Sequence, residues 1–228
     1  MEKYILQGVP LKITKEELLK TLKMPAETAP EDEKAIGAMM EECMKTANPK
    51  ALYGIAAIEE KGADFVISEG VRVQSALVRQ NLDQANRIIP YVATCGAEAE
   101  EWSRRYSDPL ESYWADGIKM VLLGKIRQEL SHRVKAEYFP GGDMSAMSPG
   151  SLAAWPITQQ ACIFGMFGSV EEDIGVRLTP SFLMLPSKSC SGFFFSPKSH
   201  YENCVYCPIP NCPGRRAPYG GKPFRAEP

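Results

Sequence analysis

The residues best suited to chemistry lie near the C-terminus, where Cys204, Cys207 and Cys212 are spaced Cys-x2-Cys-x4-Cys and the last two each precede a proline. A fourth thiol, Cys190, stands upstream, separated from Cys204 by thirteen residues. Four thiolates saturate a tetrahedral zinc ion or the four irons of a cubane cluster. Structural zinc usually sits on two matched knuckles, whereas unequal spacing and Cys-Pro are common around iron–sulfur clusters. The spacing therefore points to a [4Fe-4S] cluster on Cys190, Cys204, Cys207 and Cys212, with zinc and redox-active thiols as alternatives. His200, four residues before Cys204, is a substitute fourth ligand, but a histidine in a loop reads as a surface residue when a fourth cysteine is available. Cys43, Cys95 and Cys162 fall in apolar stretches and read as core, and His132 reads as solvated.

Aromatic and basic residues crowd the same region. Phe193, Phe194, Phe195, Tyr201, Tyr206 and Tyr219 would surround the cluster, with Lys198, Arg215, Arg216 and Lys222 close by. Two readings stand side by side: a tail pinned by metal uses aromatics in place of a core, or the basic residues raise a cluster's potential and form a rim for an acidic partner.

The rest of the chain must position these groups. It has 228 residues, 44% of them hydrophobic, enough for a core. A net charge of −2 from 26 basic and 28 acidic residues advertises neither nucleic acid nor an anionic membrane surface. The first residues lack the pattern of a secretory signal, so a cytoplasmic location is expected, where seven cysteines serve better as ligands or core residues than as a disulfide framework. Self-association into a homodimer stays open.

Thr14 and Glu17 have capping-box spacing and predict a helix over 15–23; Pro30 opens another, to Ala47. Short apolar runs predict strands over 51–58, 64–67 and 87–94, and a helix is expected over 73–82. Helices follow over 97–106 and 109–138, the second with Trp114, Ile118, Val121, Leu122 and Ile126 on one face. Residues 139–156 are rich in Gly, Pro and Ser and read as an irregular loop; Thr158 caps a helix to Gly168; two strands joined by a turn over 186–191 come next. Out of strict alternation, these elements predict an α+β fold with a mixed or antiparallel sheet and flanking helices, over residues 1–196. An irregular metal-binding tail, 197–228, would pack on it.

Residues 147–195 also resemble a known family. "SPGSLAAWPITQQ" followed by "IGVRLTPSFLMLPSKSCSGFFF" is similar to the activation domain of cobalamin-dependent methionine synthase, above all its small stand-alone relatives. Gly175, Leu178, Thr179, Ser181, Met184, Pro186, Ser189, Ser191 and Gly192 fit the family's G-x-x-L-T-x-S-x-x-M-x-P-x-x-S-x-S-G segment without a gap. Weaker likeness in "NPKALYGIAAIE", "VATCG" and "ADGIKMVLL" extends it over residues 1–196. The resemblance implies an α+β fold that binds S-adenosylmethionine beside a corrinoid protein, so that cob(II)alamin, reduced by one electron, is remethylated. It also places Ser148, Pro149, Gly150, Ser151, Ser189 and Ser191 in the cofactor-facing segments. The family's Arg and Tyr in the Pro-Gly-Tyr loop correspond to Ala146 and Ser151, so the guanidinium that would hold the methyl donor's carboxylate is missing and weak or absent S-adenosylmethionine binding is expected. Taken together, the sequence predicts an iron–sulfur activator of a corrinoid protein or cobalamin-dependent methyltransferase, the corrinoid being supplied by the partner. A zinc-stabilised, non-redox binding subunit and an S-adenosylmethionine-dependent reactivation subunit are the alternatives.

Overall fold

The structure is a computed structural model and describes residues 1–24, 29–198, 201–210, 212, 215–222 and 224. One antiparallel sheet organises it. The strand β2 (Lys50–Lys61) is long, its apolar residues running from Ala51 to Ile58 through Gly54, and it pairs along one edge with β1 (Glu2–Leu6) and then, across a bulge at Ile58/Glu60, with β3 (Phe65–Ser68), which pairs in turn with β4 (Val71–Gln74). Along its other edge lies β5 (Arg87–Thr94). Pro90 has no N–H to give, and the β2–β5 pairing is interrupted there, between Tyr53↔Tyr91 and Ala56↔Ile88. The sheet continues through β9 (Ser189–Phe195) to a three-residue edge strand, β6 (Ser145–Met147).

Helices cover both faces. On one lie α1 (Lys15–Thr21), α2 (Pro30–Thr46), α4 (Ala97–Ser103) and the thirty-residue α5 (Pro109–Tyr138). The Thr14–Glu17 capping box starts α1, and Asp108 caps α5 by accepting the N–H groups of Leu110 and Glu111. The α5 residues Leu123, Ile126, Leu130 and Val134 pack on Ala51, Tyr53, Ile89, Tyr91, Ala93 and Phe194 of the sheet. On the opposite face α3 (Ala76–Asn81), α6 (Gln160–Phe167) and α7 (Val170–Ile174) enclose Leu52, Val92, Trp155, Phe193 and Phe195. A small hairpin of β7 (Arg177–Leu178) and β8 (Met184–Leu185) leads into β9, and α8 (Asn203–Tyr206) begins the tail.

Several expectations need correction. β1 went unread because its five residues alternate too weakly, and the expected helix over 73–82 is a strand and then a helix, since Ser75 caps at Val78 N–H and starts α3 late. The loop over 139–156 contains β6, whose pairing to β9 supplies what its composition conceals. The turn placed over 186–191 ends by Lys188; Ser189, Cys190 and Ser191 are strand residues paired to Thr94, Ala93 and Val92.

Candidate functional site

Strand alternation sends neighbours in β9 to opposite faces of the sheet. Cys190 and Phe194 pack towards α5, while Phe193 and Phe195 belong to the cluster under α6. Ser191 sides with α6, its Oγ donating to Gln160 Oε1 at 3.2 Å. The hydroxyl of Ser189 donates to the carbonyl of Pro186 (2.8 Å) and lies 2.9 Å from Thr94 Oγ1. Both serines thus have protein partners on the α6 face. Ser148 points the other way, with its Oγ 3.4 Å from the buried Tyr91 hydroxyl. Beyond it Pro149 is buried, Ser151 is half-buried, and Gly150 at φ +82° gives its N–H to the Trp155 carbonyl at 2.8 Å. The expected cofactor-facing residues are therefore divided between the two faces of β9. Gly192 must be glycine, because a Cβ there would sit 2.4 Å from the Met147 carbonyl and 2.8 Å from both Ser148 Oγ and the Tyr91 hydroxyl.

The tail docks at the other end of β9 from Cys190. Ser145 Oγ donates to the Tyr201 carbonyl at 2.8 Å, and Tyr201 and Cys207 are buried in the α6-side cluster. Tyr201 stacks on Tyr206 at 5.8 Å and meets Phe195 at 6.1 Å. Arg215 clasps the chain around the cysteines: its guanidinium donates to the carbonyls of Cys204 (3.1 Å), Cys207 (3.0 Å), Ile209 (2.5 Å) and Ala217 (3.1 Å). The backbone N–H of Arg216 donates to Cys204 Sγ at 3.4 Å.

In number and softness the tail thiols suit zinc or iron. Among the described residues, however, no three His, Cys, Asp or Glu side chains converge as they would around a metal ion. Cys204 lies within α8 and Cys207 caps its C-terminal end, Cys212 is half-buried, and Cys190 lies in the sheet, where burial pushes its thiol up to about 11 while the Arg127 guanidinium pulls the other way. His200 lies outside the described residues. Cys43 and Cys95 are fully buried, as expected of core residues, and burial pushes both thiols up to about 12. Cys162 is half-buried and donates to the Arg72 carbonyl at 3.3 Å.

Two cavities along α5 complete the picture. One, of about 320 Å³, lies between α5 and the β9–β6 edge; Tyr91, Ala146 and Phe194 meet Arg127, His132 and Arg216 in its lining. The other, of about 410 Å³, lies between α5 and α1 and includes Met120, Val121, Leu123, Lys20 and Cys190. Gly124, Arg127 and Gln128 line both. Sequence reading missed Arg127 because α5 was read for its apolar stripe. Arg216 was noticed as a basic neighbour of the cysteines, but nothing in sequence could bring it back to a helix ninety residues earlier.

No family model matches the chain, and no curated protein matches it. Among solved structures, it is similar to a crystal structure of the MetH reactivation domain bound to AdoHcy, with a TM-score of 0.63 and 17% identity over 89% of this chain and 81% of that one. At that identity the likeness establishes the fold: a curled antiparallel sheet with helices, of the MetH reactivation domain kind.

Proposed function

We propose that this chain works beside a corrinoid protein and delivers the electron that returns its cobalamin from the cob(II) to the cob(I) state, which a separate methyl donor then converts to the methylated form. The observation that carries the reading is the pairing of a MetH reactivation-like fold, spanning 89% of the chain, with a cysteine-rich tail docked on the same sheet. Cys204, Cys207 and Cys212 would hold an iron–sulfur cluster; for Cys190 to be the fourth thiolate, the tail would have to shift along β9 from its docked position at Ser145 and reach round to the α5 face. Bound there, a [4Fe-4S] cluster supplies one electron at low potential, which a zinc site cannot. The chain's own contribution is to hold the tail on the sheet through Ser145 and Tyr201, to tie the tail to itself through Arg215, and to present Lys198, Arg215, Arg216 and Lys222 as a basic rim. Basic residues at such a rim favour docking of an acidic partner.

The test uses protein purified without oxygen. About four irons and four sulfides per chain are expected, and Cys204→Ala or Cys207→Ala should lose them while Cys43→Ala keeps them. Dithionite-reduced protein should then convert the cob(II) form of the corrinoid protein encoded beside it to cob(I), one electron per cobalt, as read from the cobalt absorbance. Stoichiometric zinc without iron replaces this reading by that of a non-redox binding subunit. Absence of both complex formation and any change at cobalt removes the corrinoid partner.

A further inference from the structure

The two cavities along α5 share a feature that the electron-transfer reading does not use. Arg127 is half-buried where they meet, lining one cavity with Tyr91 and the other with Cys190, and among the described residues it has no hydrogen-bond or ion-pair partner. A second guanidinium, from Arg216, enters the same cavity from the tail. The nearby carboxylates are already engaged. Glu202 accepts from Arg216 Nη2 at 2.9 Å and from the Cys204 N–H at 3.1 Å, and Glu17 accepts from Lys125 Nζ at 2.5 Å. Arg216 keeps donors to spare, since a guanidinium carries five. Beyond Arg127 the lining turns apolar, with Met120, Val121 and Leu123.

We propose that these two adjoining cavities together bind a small organic anion, its carboxylate or phosphate head between Arg127 and Arg216 and its apolar body against Val121 and Leu123. The Ser131 and Tyr91 hydroxyls line the head-group end. Gly124 is the opening: it lies on the wall common to both cavities, is exposed, and a Cβ there meets nothing within 4 Å. The site is completed only when the tail is docked, because Arg216 comes from it. The proposal requires neither a metal nor a corrinoid partner.

Titration calorimetry of the full chain with hexanoate, hexan-1-ol and inorganic phosphate tests it. Hexanoate, which has both head and body, should bind saturably and at least tenfold more tightly than either of the others. Arg127→Ala and Arg216→Ala should each weaken hexanoate about tenfold or more, the usual consequence of removing a charge-assisted hydrogen bond. Gly124→Leu fills the cavity from an exposed helical position where leucine is the better helix former, so it should remain folded and lose binding. Amide shifts confined to residues 91, 120–132, 146, 194 and 216 on adding hexanoate would place the ligand. Hexanoate binding that survives Gly124→Leu and both arginine substitutions, or no saturable binding of hexanoate, overturns the proposal.

Discussion

Single residues divide the seven cysteines into two chemical classes. Cys43 and Cys95 are enclosed by Ile36, Met39, Ala99, Trp102 and Trp114, and burial raises both thiols to about 12. At pH 8 they are neutral and out of reach, so iodoacetamide applied to folded protein freed of metal by a chelator should leave both unmodified while labelling Cys212, as read by peptide mass mapping. Labelling of Cys43 or Cys95 at the rate of Cys212 would contradict the core assignment. Side-chain identity also bears on the methyl donor. By resemblance, Ala146 stands where an arginine would be expected; the cavity it lines carries Arg127 and Arg216, which can take a carboxylate but repel the sulfonium and ammonium cations that the methyl donor brings with it. S-Adenosylmethionine should therefore bind on the order of a hundredfold more weakly than to a site with the bidentate contact, and a micromolar dissociation constant by calorimetry would refute this.

Among the elements, α5 and the tail depend on single charged residues. Lys119 of α5 is buried and pairs with Glu100 of α4 at 3.1 Å, and the same carboxylate accepts from the Ser187 hydroxyl at 3.0 Å ahead of β9. Burial opposes ionisation of Glu100, but Lys119 and Ser187 outweigh it and hold the carboxyl below its ordinary range. A depressed folded-state value contributes stability that is complete above about pH 4.3 and is lost as pH falls through the lower folded value. Glu100→Gln should cost about 2 kcal/mol at pH 7 in urea unfolding, because it leaves a buried ammonium with only Asp116 at 3.8 Å, and the difference from the parent should shrink below pH 4. Arg215 plays the corresponding part in the tail by joining four carbonyls with one planar group. Lysine cannot reproduce that fork. Arg215→Lys should speed amide exchange over residues 201–210 at least tenfold while leaving β5 and β9 protected; equal protection in the two proteins would show that the clasp is unimportant.

At the scale of the whole molecule, what sequence revealed depended on how local its cause is. The bounds of β5 and α5 were legible because Arg87, Thr94, Asp108 and the apolar stripe from Trp114 to Ile126 act within a few residues. β6 and the start of β9 were not, since Ser145 to Met147 become a strand only when Phe193 to Phe195 arrive from fifty residues later. The cysteine spacing was plain, yet the side of β9 that Cys190 faces follows from register, and Arg127 meets Arg216 only through tertiary packing.

The same packing governs whether the tail can be removed. Tyr201 and Cys207 are only 6% and 8% exposed, and they lie in one cluster with Trp155, Phe193 and Phe195. Ending the chain at residue 196 would uncover that side of the sheet, leave the Ser145 hydroxyl without its acceptor, and open the β6 edge. Burial of one large aromatic contributes about 2–3 kcal/mol, so the truncated chain should lose about 3 kcal/mol or more of unfolding free energy and associate through its exposed edge. Urea unfolding and gel filtration measure both. An unfolding midpoint unchanged by the truncation would mean that the tail is an appendage, and the cysteines would then have to be placed relative to the sheet by something other than the contacts at Ser145 and Tyr201.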